Sequence, residues 1–188
     1  MFNICRGFSH RISRFLPHLQ IELPANQWPD LINTLLNNMN QPNDNIKQST
    51  LMALGYICEE IVKRCTHLSN FFWLVLFPSP TFQEPEVLKT QSNSILTAVC
   101  AKGMKDPNPE IKYVACNALN NALGFASSNM EKEGERDYVM TVVCECCSSQ
   151  EEKVRGAALE CLVKVAEEYY HLLDKYMQTI FNVSKNLW

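Results

Sequence analysis

The chain has 188 residues, 46% of them hydrophobic and 20% charged, which excludes a disordered tail or linker as its main content. Its net charge of -3 at pH 7 argues against phosphate-backbone recognition, which leaves a basic excess, so no nucleic-acid partner is expected. Only 6 glycines stand in this length, and with recurrent Leu, Ala, Asn and Glu they bias the chain toward helix.

The first segment, residues 1–20, carries Arg6, Arg11 and Arg14, two serines and no acid, so formally it resembles a mitochondrial transit sequence. An apolar-periodic helix is predicted over Leu31 to Met39. The polar turn Gln41-Pro42-Asn43-Asp44 follows it, then a second helix from Ile46. Residues 62–83 differ in character and contain the most apolar run, Phe71 to Phe77. That run falls well short of the roughly 20 residues a membrane-spanning helix needs, so no membrane partner is expected. A helix over Ile95 to Met104 leads through Asp106-Pro107-Asn108-Pro109 into another from Ile111. The charged run Glu131 to Arg136 reads mainly as a solvated turn between repeats. Tyr138 to Cys147 then forms a helix, and Ser148-Ser149-Gln150-Glu151 turns the chain into the next one from Val154.

Three of these helices can be written over one another: Ile46 to Leu54, Ile111 to Leu119, and Val154 to Leu162. Each reads aliphatic, basic, two variable, small, apolar, variable, small, Leu. The first, fifth, eighth and ninth positions share one helical face, where small residues let a neighbouring helix approach closely. The unit is therefore helix A, tight turn, helix B. The predicted fold class is all-α, a right-handed HEAT-type solenoid of armadillo-like character. Val154 lies 43 residues after Ile111, whereas Ile111 lies 65 after Ile46. Removing the 22 residues of 62–83 restores the 43-residue period, which marks them as an insertion between repeats.

Reactive chemistry is not signalled. Nine cysteines, an odd count, follow no secretory signal, and Cys58, Cys100, Cys116 and Cys161 sit inside helical patterns as small apolar side chains. Cys144-Glu145-Cys146-Cys147 lacks a second ligand pair at zinc-site spacing, so packing is expected and no metal residue is named. His10, His18 and His67 lie in the atypical segments, and His171 follows Tyr169-Tyr170 near a helix end. With no Cys-His or Ser-His-Asp arrangement and no phosphate loop, no catalytic residue and no cofactor are expected.

Several stretches resemble the importin-beta family in consecutive order: Asn26-Gln27-Trp28-Pro29-Asp30-Leu31-Ile32, Leu54-Gly55-Tyr56-Ile57-Cys58, Ser92-Asn93-Ser94-Ile95-Leu96-Thr97-Ala98, Glu135-Arg136, and Val154-Arg155-Gly156-Ala157-Ala158-Leu159. The resemblance is to the third, fourth and fifth repeats and the start of the sixth. It divides the chain into a non-family segment 1–20, a repeat 21–61, the insertion 62–83, repeats 84–130 and 131–171, the start of a further repeat 172–182, and a non-family tail 183–188. Val62-Lys63 and Val183-Ser184 can be encoded like splice donors, and Leu19-Gln20 and Phe82-Gln83 like acceptors. The three non-family segments are therefore expected to be translated intron sequence.

The resemblance implies a nuclear transport receptor, shuttling between cytoplasm and nucleus and visiting the nuclear envelope. Its implied partners are FG-repeat nucleoporins on the outer surface, with Ran GTPase and importin-alpha or other cargo inside the superhelix. It places an outer phenylalanine-binding groove at Leu96, Thr97 and Cys100 on one A helix and Glu135, Tyr138 and Val139 on the next. Those offsets make compact helical patches, which also fit plain packing between A helices. Ran contacts are expected to be largely missing, because the first two family repeats are absent, and the adaptor-binding repeats are expected beyond the last residue. The alternative function is a generic HEAT-repeat interaction scaffold or a non-functional truncated product.

Overall fold

The computed structural model describes residues 31–68 and 86–185, and every regular element among them is helical. In chain order these are α1 Leu31–Asn38, α2 Asp44–Leu68, α3 Glu86–Leu96 with its π-helical continuation Thr97–Gly103, and α4 Pro109–Ala122. A 3-10 turn Leu123–Phe125 and the short α5 Ser127–Met130 lead to α6 Glu133–Cys147 and α7 Glu152–Tyr169. Two 3-10 turns, Tyr170–Leu172 and Asp174–Tyr176, precede α8 Met177–Lys185.

The helices form two layers. The B helices α2, α4 and α7 lie side by side, α4 packing along both of its neighbours. Each A helix covers its own B helix: α1 on α2, α3 and its π segment on α4, and α6 on α7, while α8 packs back against α6. The repeated pattern explains the stacking. Ile111, Ala115, Ala118 and Leu119 of α4 are fully buried or nearly so, as are Val154, Ala158 and Cys161 of α7. Small side chains bring the B backbones together, so that a Cβ on Gly55 of α2 would stand 3.3 Å from the Ala118 Cα. Large aliphatics fill the space between the layers: Leu51, Leu54, Ile95, Leu119, Val142 and Val143 have essentially no exposed surface. Each such side chain contributes about 1.5–3 kcal/mol of transfer free energy.

The turns are built as their residues predict. Asn108 caps α4, its side chain accepting from the Glu110 amide at 3.0 Å, with Pro109 in the first turn. Asp106, almost fully buried, accepts from the Asn108 amide at 2.9 Å and takes a 2.8 Å ion pair from Lys47 of the preceding repeat. Asn108 also donates to Asp44 at 2.8 Å, and Lys102 donates to Asn40. Turn polar groups thus tie the first repeat to the second.

Several edges differ from the sequence reading. The second A helix starts at Glu86 rather than Ile95, and its end is π-helical, with the Met104 amide donating to the Val99 carbonyl at 2.8 Å. Gly103, at the end of that segment, lets its backbone come close to the B helices: a Cβ there would lie 2.6 Å from the Ala115 Cβ and 3.2 Å from both Leu51 methyls. The run Glu131 to Arg136 is not all turn. α6 begins at Glu133, whose acidic first turn suits the positive end of the helix dipole. α2 continues past residue 62, the expected start of the insertion, to Leu68, and Val62 packs where a Cβ on Gly124 would come within 2.8 Å. Likewise α8 runs to Lys185 across the edge expected at 183, and Val183 is buried. Residues 1–20, the rest of the insertion and 186–188 lie outside the described residues, as do the edges at Gln20 and Gln83.

Candidate functional site

The six candidate groove residues stand on the second and third A helices. Leu96 closes α3 and Thr97 opens the π segment, and Cys100 sits in its middle. Glu135 lies in the first turn of α6, with Tyr138 and Val139 one turn on. Their depths differ. Leu96, Cys100 and Val139 are buried, Thr97 is exposed, Glu135 is half-buried, and Tyr138 is 38% exposed. Of the six, only the rim residues Thr97 and Tyr138 are exposed, with Glu135 half-buried beside them in sequence. Cys100, small and fully buried, contributes packing volume and no open surface.

Charge borders the rim. Lys105, in the turn after the π segment, holds its ammonium 5.0 Å from the centre of the Tyr138 ring. Glu135 accepts from Lys132 at 2.9 Å and from the Asn129 side-chain amide, and those two hydrogen bonds hold its carboxyl below the usual carboxylate range. Asn129 is itself buried, and its carbonyl oxygen accepts from the buried Ser92 hydroxyl of α3 at 2.7 Å. A polar chain Ser92–Asn129–Glu135 therefore links the two A helices beside the groove positions. Sequence reading missed Ser92, Asn129 and Lys105. The first two lie 37 residues apart, beyond any helical spacing.

The next pair of A helices is joined more tightly. Lys175 donates to Glu133 at 2.8 Å and to both Asp137 oxygens at 2.8 and 2.9 Å. Tyr176 donates its hydroxyl to Asp137 and accepts from Arg136 at 3.2 Å. Arg136 also donates to the Met130 and Glu131 carbonyls. The hydrogen bonds from Lys175 and Tyr176 hold the Asp137 carboxyl low.

The cysteines behave as core. Cys58, Cys100, Cys116, Cys144, Cys146, Cys147 and Cys161 are free thiols and all buried. Burial pushes Cys58, Cys100 and Cys147 up to about 12, so they are neutral and poorly nucleophilic at neutral pH. Cys161 donates to the Cys116 carbonyl at 3.1 Å and Cys146 to the Met104 carbonyl at 3.6 Å, so thiols also join the second repeat to the third. No helix among the described residues is long and apolar enough to cross a membrane.

Comparison with known proteins accords with this architecture. Residues 139–169 match the HEAT repeat family model. Importin subunit beta-1 of Arabidopsis thaliana is 45% identical over 166 residues, covering 87% of this chain and 17% of that protein. A solved structure of yeast importin-beta (Kap95p) superposes with a TM-score of 0.66 at 34% identity, covering 85% of this chain and 16% of that one. A structure described by Kap95p binding that induces the switch loops of RanGDP to adopt the GTP-bound conformation gives a TM-score of 0.63 at 32% identity. It covers 84% of this chain and 16% of its own. The chain spans about a sixth of the length of these relatives, at 16–17%. With its ordered helix pairs and these likenesses, the chain belongs to the importin-beta family, as a HEAT-repeat segment of it.

Proposed function

We propose that this chain is a wall segment of a nuclear transport receptor, and that its outer face binds phenylalanine side chains of FG-repeat nucleoporins between α3 and α6. The observation that carries the reading is the exposure of Thr97 at the start of the π segment and of Tyr138 on α6, with the Lys105 ammonium 5.0 Å from the Tyr138 ring joining the two helices. An aromatic anchor from a disordered chain suits a groove with an aromatic and polar rim. Such a chain loses ordering entropy on binding, so a single groove binds weakly and exchanges fast. Function in transport comes from several such grooves acting together.

Ran GTPase and importin-alpha are proposed as partners of the longer family members. The Kap95p–Ran structure supports the former, and here α2 and α4 supply at most part of an inner surface. The proposed location is cytoplasm and nucleus, with passage through the nuclear envelope.

The test is a nuclear magnetic resonance titration of a Phe-Gly-Phe-Gly peptide into the wild-type chain and a Tyr138→Ala variant. Fast-exchange shifts around residues 96–100 and 135–139, weakened in the variant, are the expected result. Equal shifts in both proteins, or none in the wild type, overturn the groove and leave the generic scaffold reading.

A further inference from the structure

The turn between the second A helix and its B helix is fixed on both sides of one exposed lysine. The Asp106 amide donates to the Gly103 carbonyl at 3.2 Å, closing a turn whose central residues are Met104 and Lys105. Met104 and Asp106 are buried. The Met104 carbonyl accepts from the Cys146 thiol of α6 at 3.6 Å, and Asp106 is held by Lys47 and the Asn108 amide. Lys105, between these two anchors, is exposed and reaches α6, its ammonium 5.0 Å from the centre of the Tyr138 ring. That is within the roughly 6 Å over which an aromatic face attracts a cation. The same charge acts on Cys100: burial and then the Cys146 thiol push that thiol up, and Lys105 pulls it the other way. Lys105 thus stands near candidate groove positions on both A helices.

Its charge has no counterpart nearby. Lys47, Lys132, Lys153, Lys164 and Lys175 each pair with a carboxylate. Among the described residues no carboxylate pairs with Lys105, and that includes Glu145, two turns along α6 from Tyr138. Glu135, the acid among the six groove positions, is already paired with Lys132. The whole chain carries -3, but at physiological ionic strength exposed charges are screened beyond about 8 Å, so the nearest groups decide. Beside the Tyr138 ring the uncompensated group is the Lys105 ammonium.

We propose that Lys105 is a specificity residue of the groove between α3 and α6, its ammonium pairing with a carboxylate next to the aromatic anchor of the bound chain. This rests on the groove reading above and adds the chemistry of the ligand, a disordered segment in which phenylalanine is flanked by Asp or Glu. The anchor ring meets Tyr138 while the flanking carboxylate meets the ammonium, whose place is fixed by the anchored turn. A flanking Lys or Arg meets like charge and is disfavoured. A solvent-exposed pair of this kind changes affinity by about two- to fivefold.

Nuclear magnetic resonance titration of the full chain with three peptides tests this, each a Phe-Gly-Phe-Gly core flanked on both sides by Asp, by Ser or by Lys. The wild type is expected to bind the Asp peptide about two- to fivefold more tightly than the Ser peptide, and the Lys peptide more weakly, with the differences shrinking at high salt. Lys105→Gln is expected to bind all three alike, and Lys105→Arg to keep the wild-type order. Should Lys105→Gln lose wild-type helicity by circular dichroism, Lys105→Met takes its place as the neutral variant. Equal binding of the three peptides to the wild type overturns the charge selection and leaves the groove standing. An order that persists in the neutral variant also overturns it, by assigning the selection to another cation. So does an Asp-flanked peptide with Ala in place of both Phe that binds as well as its parent, since charge alone then holds the chain. Absence of binding by every peptide removes the groove itself, and the role of Lys105 with it.

Discussion

At the scale of single residues, glycine positions separate backbone approach from mere helix propensity. Gly103 ends the π segment, where an added Cβ would lie 2.6 Å from the Ala115 Cβ and 3.2 Å from two Leu51 methyls. Ala115 and Leu51 are both fully buried and hold the second repeat against the first, so neither has free volume to retreat into. Gly156, inside α7, has nothing within 4 Å of its would-be Cβ. Gly103→Ala is therefore expected to destabilise by about 1–3 kcal/mol through overpacking. Gly156→Ala is expected to stabilise by about 0.4–1 kcal/mol, because it restricts the unfolded chain and favours helix. Urea denaturation of both variants checks the pair, and equal shifts in midpoint would show that packing at Gly103 is looser than these distances state. Residue depth was also the part of the candidate site least legible in sequence. Offsets along a helix choose a face but not how deep each residue sits. Leu96 and Thr97 are adjacent, yet one is buried and the other exposed.

At the scale of elements, the turn Asp174–Tyr176 that leads into α8 is hydrogen-bonded to α6, beside the apolar docking of Val183. Asp137 receives Lys175 and Tyr176, and their hydrogen bonds lower its carboxyl below the usual aspartate range. The resulting stability is fully present above the ordinary aspartate pKa of about 3.9 and is lost as pH falls through the lower folded value. Lys175 is shifted the other way, upward, by its hydrogen bonds to Asp137 and Glu133. Its contribution is intact below the ordinary lysine pKa of about 10.4 and fades as pH rises through the higher folded value. The clamp therefore operates across neutral pH. Hydrogen exchange of the Met177–Lys185 amides, corrected for intrinsic rate, is expected to lose protection in acid while α4 keeps its own. Asp137→Asn should reproduce that loss at neutral pH and leave little further acid dependence. Protection of α8 that ignores both changes would assign its docking to Val183 and its apolar neighbours instead. The B helices were legible in sequence because their nine-residue pattern is written by burial on two sides. The clamp was not, since Asp137 and Lys175 are 38 residues apart and meet only once α8 folds back. The close fit at Gly103 escaped for a related reason: it is made against residues of two other helices, and no local pattern encodes it.

For the whole molecule, the question is whether three repeats unfold as one body or one after another. Repeat proteins gain stability from neighbour interfaces, and here α4 shares its two long sides with α2 and α7. The first interface adds the Lys47–Asp106 pair and the turn hydrogen bonds, and the second adds the Cys161 and Tyr169 contacts to the Cys116 and Leu123 carbonyls. Neither flank can separate without exposing α4, whose Ile111, Leu119 and Ala122 are at most 1% exposed. The buried thiols report this directly. Cys58 lies on α2, Cys116 on α4 and Cys161 on α7, all at most 1% exposed; burial raises the Cys58 and Cys161 thiols, and the hydrogen bond with Cys146, then burial, raises Cys116. A thiol raised to about 12, as Cys58 is, carries on the order of one thiolate in 10⁵ at pH 7, and Cys116 and Cys161 are shifted the same way, so alkylation awaits opening of the fold. Peptide mapping after iodoacetamide pulses along a urea series is expected to show these three cysteines losing protection at one common midpoint. A Cys58 that reacts well before Cys116 and Cys161 would mean that the first repeat detaches alone. The polar ties at its turns would then be too weak to couple it to the rest, and the stack would be a row of separable units.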